Sequence, residues 1–280
     1  MKKIFLLLLV PALIFAFSGC GKDDDGGSGR NNDTNGDGGG SGGGSSAEQK
    51  AVLFYFGGTW CPPCGSNGKV AVQNVKNEHG SKVEVISCQL SSQNATDPFA
   101  NTSSSQMAQV FQVSGVPAIY IGGPDQLTSH PSNAQMSSSS AERVTTVKGL
   151  SPIVSVRPTV KLDGKTLTVT TKVGFLEDHD NEYRLAVYIT ESRLEHPQAS
   201  DARTVDRNMH DDVLRKNLSP TSAFGELLAG NVTKGTDQEY SFFDELDDSW
   251  DINNLRAVAV VWKRMPNGFM PVNAASVQIK

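Results

Sequence analysis

Cysteine is scarce in this chain. Four occur among 280 residues, Cys20, Cys61, Cys64 and Cys88, too few for a small disulfide-stapled scaffold. Basic residues are also sparse: 25 Lys and Arg against 30 Asp and Glu give a formal charge of −5, or −7 once Lys2 and Lys3 are removed with a leader. A nucleic-acid surface needs clustered Lys and Arg, so that class is excluded. Long apolar runs are lacking too. The one candidate, residues 4–17, is fourteen apolar or neutral residues, short of the ~20 that a transmembrane helix needs. No internal repeat is visible.

That short run, preceded by Lys2 and Lys3, is the pattern of a secretory signal. It ends Phe17-Ser18-Gly19-Cys20, and small residues directly before a cysteine resemble the lipobox of bacterial lipoproteins. The resemblance implies cleavage before Cys20 and acylation of its thiol. Each buried methylene of such a lipid contributes roughly 0.8 kcal/mol, so a multiply acylated end anchors firmly while the polypeptide stays soluble. Residues 21–46 contain no aliphatic or aromatic side chain. A stretch of this kind does not bury enough apolar surface to offset its ordering entropy and is expected to be a disordered tether, spanning on the order of 30 Å. Its acidic run Asp23-Asp24-Asp25 resembles the export signal of surface lipoproteins in some Gram-negative bacteria. The expected location is the outer membrane, lipid-anchored, with display on the outer face.

The remainder is long enough for two domains. Residues 47–150 alternate strand and helix patterns: Val52 to Phe56 as a buried strand, a helix ending near His79-Gly80, a strand over 82–90, a helix over 103–113, a strand over 115–123 opened by Pro117, and a closing helix over 132–147. Alternation of this kind is α/β. Residues 151–280 change to period two. Val154, Val156, Val160 and Leu162 lead into Asp163-Gly164, followed by Leu167, Val169 and Thr171; Asp-Gly between alternating runs is a strong hairpin signal. Tyr183, Leu185, Val187 and Ile189 form a further one-sided strand, and more strands are expected at 239–243, 256–262 and 275–279. This reads as an all-β immunoglobulin-like sandwich. The expected fold class is thus an α/β domain followed by a β-sandwich.

Trp60-Cys61-Pro62-Pro63-Cys64 carries the chemistry. Two cysteines three residues apart at a helix start lie within disulfide reach. The free amides and dipole of the helix terminus lower the first thiol's pKa, to roughly 3.5–7.5 in such motifs. Pro62 and Pro63 fit because the first turn has no amide bonds to lose. In this reading Cys61 is an exposed nucleophile and Cys64 resolves the mixed disulfide. A zinc site built from Cys61, Cys64, His79 and Cys88 is disfavoured, because Cys88 sits mid-strand as a small buried hydrophobe. Haem attachment needs His after Cys64, where Gly65 stands. His196 and His210 with nearby acids lack recognised ligand spacing and read as loop polars plus a short helix. Neither a metal nor a cofactor is expected.

Trp60 to Cys64 after an apolar strand, with Gly115-Val116-Pro117 before a later one, resembles the extracytoplasmic thiol–disulfide branch of the thioredoxin superfamily. The resemblance implies a thioredoxin-like domain in which Pro117 is cis, Val116 and Pro117 position a peptide substrate, and Trp60 shields the pair. Thioredoxin proper carries a buried acid six residues before its first active cysteine. Here Tyr55 holds that place, and a phenol of pKa about 10 is a poor base. Over nearly the whole mature chain the sequence resembles the outer-membrane-protein-28 family of lipoproteins, carried by the lipobox, Gly58 to Cys61, Val187 to Glu191, His196-Pro197-Gln198 and 210–215. The leading expectation is a membrane-tethered thiol–disulfide oxidoreductase acting on protein thiols or disulfides of the cell envelope. The alternative is a surface-exposed binding or adhesion lipoprotein with a structural cysteine pair. Replacement of Cys20 by Ala is expected to move the protein from the membrane to the soluble fraction on cell fractionation; unchanged attachment overturns the lipid anchor.

Overall fold

The computed structural model describes residues 48–128, 132–200, 208–219, 221–228 and 232–280. The signal, Cys20 and the tether lie outside the described residues. In chain order the elements are β1 (Ala51–Gly57), a π-type turn (Cys64–Gly68), α1 (Lys69–His79), β2 (Val83–Gln89), α2 (Thr102–Val110), β3 (Ala118–Ile121) and α3 (Asn133–Lys148). There follow β4 (Val154–Asp163), β5 (Thr166–Phe175), β6 (Tyr183–Glu191), β7 (Leu194–Glu195), β8 (Met209–His210) and β9 (Val213–Asn217). The chain closes with β10 (Glu226–Leu227), β11 (Asp237–Glu245), β12 (Leu255–Met265) and β13 (Gly268–Gln278).

Local chemistry sets several of these boundaries. The Asn101 side chain accepts from Ser104 N at 3.0 Å and caps α2, and Ser132 does the same for α3 through Gln135 N. Each occupies an orphan amide of a first turn. Asp163 pairs with Thr166 across the β4–β5 hairpin, and Gly164 takes a φ of +61°, which glycine adopts without strain.

The architecture corrects the expected fold class. The anticipated pair, a thioredoxin-like α/β domain followed by a self-contained immunoglobulin-like sandwich, is replaced by a mostly β body organised on one shared sheet. Its order is β13-β12-β6-β9-β2-β1-β3, with β10 added beside β6. Strands β1, β2 and β3 therefore do not close a sheet of their own; they continue one whose other half comes from residues 183–278. The physical reason is burial on both faces. In β6, Tyr183, Leu185, Val187 and Ile189 enter one core while Ala186 and Tyr188 enter another. In β1, Leu53 and Tyr55 face one core and Val52, Phe54 and Phe56 the other. A strand that is apolar on both sides needs a covering layer on each.

Three hydrophobic cores supply those layers. A three-stranded sheet, β11-β5-β4, covers one face of β6, β12 and β13. Helices α1 and α3 cover one face of β1, β2 and β3 through Ala71, Val75, Met136 and Val144. The opposite face is common to both ends of the sheet, which curls around it. There Phe54 stands 4.8 Å from Phe111 and 5.5 Å from Trp262, ring centre to ring centre. The curl brings β13 back to the start of β1: Asn273 Oδ1 accepts from Lys50 N at 3.1 Å, and Gln49 Nε2 donates to Val272 O at 2.7 Å.

Direct pairing between the two halves is narrow. Strands β2 and β9 share a single registered pair, Ser87 with Val213, flanked by Ser87 N donating to Asp212 O at 2.8 Å. Charge fastens the same seam. Glu84, buried on β2, takes Lys50 Nζ at 2.7 Å and Arg256 Nη2 at 2.6 Å. Buried Asp212 takes Lys76 Nζ at 2.5 Å. Desolvated carboxylates with several cationic partners hold position because leaving either charge unpaired costs several kcal/mol.

Because Trp262 is fully buried where β1, α2 and β12 meet, Trp262→Ala is expected to lose about 3–5 kcal/mol. Urea unfolding followed by tyrosine fluorescence and far-UV circular dichroism is expected to stay a single coincident transition. Two separated transitions would contradict the shared core.

Candidate functional site

The cysteine pair lies where β1 gives way to α1. Cys61 N donates to Gly58 O at 3.1 Å, and Cys64 N and Gly65 N donate to Cys61 O at 3.1 and 3.3 Å. This tight turn brings the two Cα atoms to 5.2 Å, and Cys61 and Cys64 are joined as a disulfide. Pro62 and Pro63 are the exposed tip. The residues expected to surround the pair converge on it: the Val116–Pro117 bond is cis, Val116 O lies 3.8 Å from Cys61 Sγ, and Trp60 Nε1 donates to Leu90 O at 2.7 Å, which pins the indole beside the turn.

Exposure of the first cysteine is where expectation fails. Cys61 is 3 % exposed and Cys64 is 0 % exposed. The reason is a segment from the far half of the sequence. Residues 196–200 lie across the turn: Ala199 N donates to Thr59 O at 2.8 Å. The Gln198 amide nitrogen sits at 3.1 Å from Gly58 O, 3.2 Å from Thr59 O and 3.2 Å from Cys61 O. One side chain thus adds a further donor to carbonyl oxygens that already accept backbone amides, each carbonyl having two lone pairs to offer. Approach is so close at Gly65 that a Cβ there would stand 2.2 Å from Ala199 O. A second strap comes from Asp97, whose buried carboxylate accepts from Thr59 N at 2.6 Å and Phe99 N at 2.8 Å.

The titratable groups nearest the disulfide are held by burial. The Tyr55 hydroxyl donates to Cys64 O at 3.3 Å, and burial first, then the Asp97 charge, push it well above the ordinary phenol range. Cys88 is a free, fully buried thiol whose pKa burial raises. His79 closes the far end of α1, 3.1 Å from Ala141 O. His196 and His210 do come together, through Phe99: their rings lie 5.8 and 5.2 Å from its centre. His210 Nε2 faces His196 O at 3.0 Å, which assigns the proton to Nε2. Burial, and then the Lys69 charge, lower its pKa to about 4. Among the described residues no group of three or more His, Cys, Asp or Glu is arranged to hold a metal ion.

Sequence reasoning found Trp60, Cys61, Cys64, Val116 and Pro117 but missed Gln198, Ala199 and Asp97. Gln198 lies 137 positions from Cys61, and no local pattern announces a contact at that separation.

Fold and site together define a mostly β body with a closed disulfide under a clamp. A family model described as outer membrane protein Omp28 matches residues 104–279. Among solved structures, HBP35 of Porphyromonas gingivalis superposes with a TM-score of 0.66 at 15% identity, over 84% of this chain and 77% of that one. A domain of the outer membrane lipoprotein Omp28 from Porphyromonas gingivalis aligns at 18% identity over 46% of this chain and 89% of that one, with a TM-score of 0.33. No curated protein matches the chain. The chain belongs to the Omp28 family of outer membrane proteins, which agrees with the expected location at the outer membrane.

These findings correct the functional expectation. The oxidoreductase reading required an accessible attacking sulfur at Cys61. That sulfur is instead buried in a disulfide beneath 196–200. The family match, too, is to outer membrane proteins and begins at residue 104, beyond both cysteines. The HBP35-like fold likewise replaces the thioredoxin-like domain and sandwich.

His210 gives the site a pH signature. Its folded pKa of about 4 lies below the ordinary value of about 6.5. As pH falls between those values the unfolded chain gains a proton that the folded chain refuses. Stability is therefore fully present above about 6.5 and falls by about 3 kcal/mol by pH 4. In urea titrations at pH 7 and 4.5, His210→Gln is expected to lose less stability than the parent protein. Equal losses would contradict a buried neutral imidazole.

Proposed function

We propose that this protein is a surface-exposed binding or adhesion lipoprotein whose Cys61–Cys64 pair is structural. The observation that carries the reading is the clamp: a disulfide 3 % and 0 % exposed at its two residues, under a Gln198 amide that joins both halves of the chain. A cross-link there holds the turn in the shape that Gln198 and Ala199 fit. The acidic run after Cys20 is consistent with display on the outer face, and the tether gives the body reach away from the lipid.

A contact surface is available on the outward face of the three-stranded sheet. Phe243 is 68 % exposed and stands in register with Thr168 and Lys161, with Thr170 and Ser241 alongside, their hydroxyls 2.9 Å apart. An aromatic ring on a hydroxyl-rich sheet face supplies contact area at small entropic cost. The sheet's edges resist strand addition: β4 carries Pro158, and β11 carries Asp237, Glu239, Asp244 and Glu245. Proline and charge on edge strands oppose edge-to-edge pairing, leaving the face as the binding element.

Intact cells treated with a protease are expected to lose the chain, and Phe243→Glu is expected to weaken cell adherence to protein-coated surfaces several-fold. Insulin disulfide reduction by the purified protein is expected to stay at the glutathione background. Protection from protease on intact cells, or sustained insulin turnover, would overturn the reading.

A further inference from the structure

We propose that a pocket at the seam of α3, β1 and the β12–β13 hairpin binds a small amphiphile with one acidic head and a saturated tail, the chemistry of a medium-chain carboxylate. The inference deepens the reading of the protein as a binding lipoprotein and rests on it. The pocket encloses about 230 Å³, larger than the ~150 Å³ apolar cavity that admits benzene. Its wall is made by Val52, Val147, Leu150, Ile153, Met270 and Val272. The sheet's curl builds it: the loop from α3 into β4 passes over the place where β13 returns toward β1. Leu150, one residue beyond the Gly149 cap of α3, is 58 % exposed at the rim.

Charge selects the ligand's head. Arg143 and Lys263 both line the pocket, which has no carboxylate in its lining. Arg143 Nε donates to Ile121 O at 3.2 Å, which fixes the guanidinium and leaves its outer nitrogens for another acceptor. Neither cation forms an ion pair among the described residues. Three other half-buried cations, Lys50, Lys76 and Arg256, all pair with Glu84 or Asp212. Two unmatched cations beside an apolar wall complement a carboxylate on a hydrocarbon tail. The guanidinium fork offers a planar acid two parallel hydrogen bonds. A neutral lipid would leave the cations unmatched, and a cationic amphiphile would be repelled.

The test is isothermal titration calorimetry on the chain from Cys20 onward, with Cys20→Ser so that no attached acyl group competes. Decanoate, decanol and decyltrimethylammonium serve as probes, each below its micelle threshold. Decanoate is expected to bind one site at least tenfold more tightly than decyltrimethylammonium. The Arg143→Gln/Lys263→Gln variant is expected to weaken decanoate at least tenfold while leaving decanol unchanged. Val147→Phe, which fills the wall, is expected to weaken both, with an unchanged melting curve showing that each variant folds. Absence of decanoate binding, equal affinity for the two charged probes, or indifference to both variants would overturn the proposal. Adherence is scored on intact cells, so a negative titration with normal adherence removes this ligand and leaves the adhesion reading in place.

Discussion

Both faces of one sheet have to be kept dry, and the rest of this structure follows from that requirement. The central strands carry branched and aromatic side chains on alternate sides, so neither side tolerates water. A layer must be found for each face at each end of the sheet. The chain solves this with three different covers: two helices, a small antiparallel sheet, and the sheet's own curl around the aromatic cluster of Phe54, Phe111, Tyr188 and Trp262. The curl has two consequences. It brings β13 beside the start of β1, which makes the acid-selective pocket, and it lets residues 196–200 reach the cysteine turn.

The cysteine turn illustrates how a motif's chemistry is set by what covers it. A Cys-x-x-Cys pair at the start of a helix has the electrostatics for a reactive thiolate, and this one has the helix, the prolines and the cis-proline neighbour. Access is missing. Gln198 fills the acceptor sites around the turn, Ala199 adds a backbone bond, and Gly65 admits that backbone at a distance no side chain would allow. The same contacts that remove the sulfur from solvent tie the turn to a distant part of the chain, while the disulfide itself closes only the turn. Membership of an outer membrane protein family agrees with a body built for stability at the cell boundary.

Binding surfaces emerge from the same architecture without further machinery. A covering sheet needs only its inner face for the core, so its outer face is free to carry Phe243 among threonines and serines. A curled sheet leaves a gap where its ends meet. The gap is walled by apolar side chains because it adjoins the cores, and it is edged by Arg143 and Lys263 because it opens at the surface.

Local order was legible in the amino acids alone. Strand and helix positions outside 192–235, the Asp163-Gly164 hairpin, the one-sided core pattern of β6 and the pairing distance of Cys61 and Cys64 all depend on residues near one another in sequence; within 192–235, read as loop and a short helix, the structure has β7 to β10 instead. Side-chain periodicity and turn chemistry report such relations directly. Joining β2 to β9, folding 196–200 over the disulfide, and closing β13 on β1 were decided only in three dimensions. Those contacts link residues more than a hundred positions apart, and alternation says that a face must be covered without saying by what. For the same reason the residue types at 61–64 were legible as a redox motif, while their burial, which decides what the sulfurs do, was not.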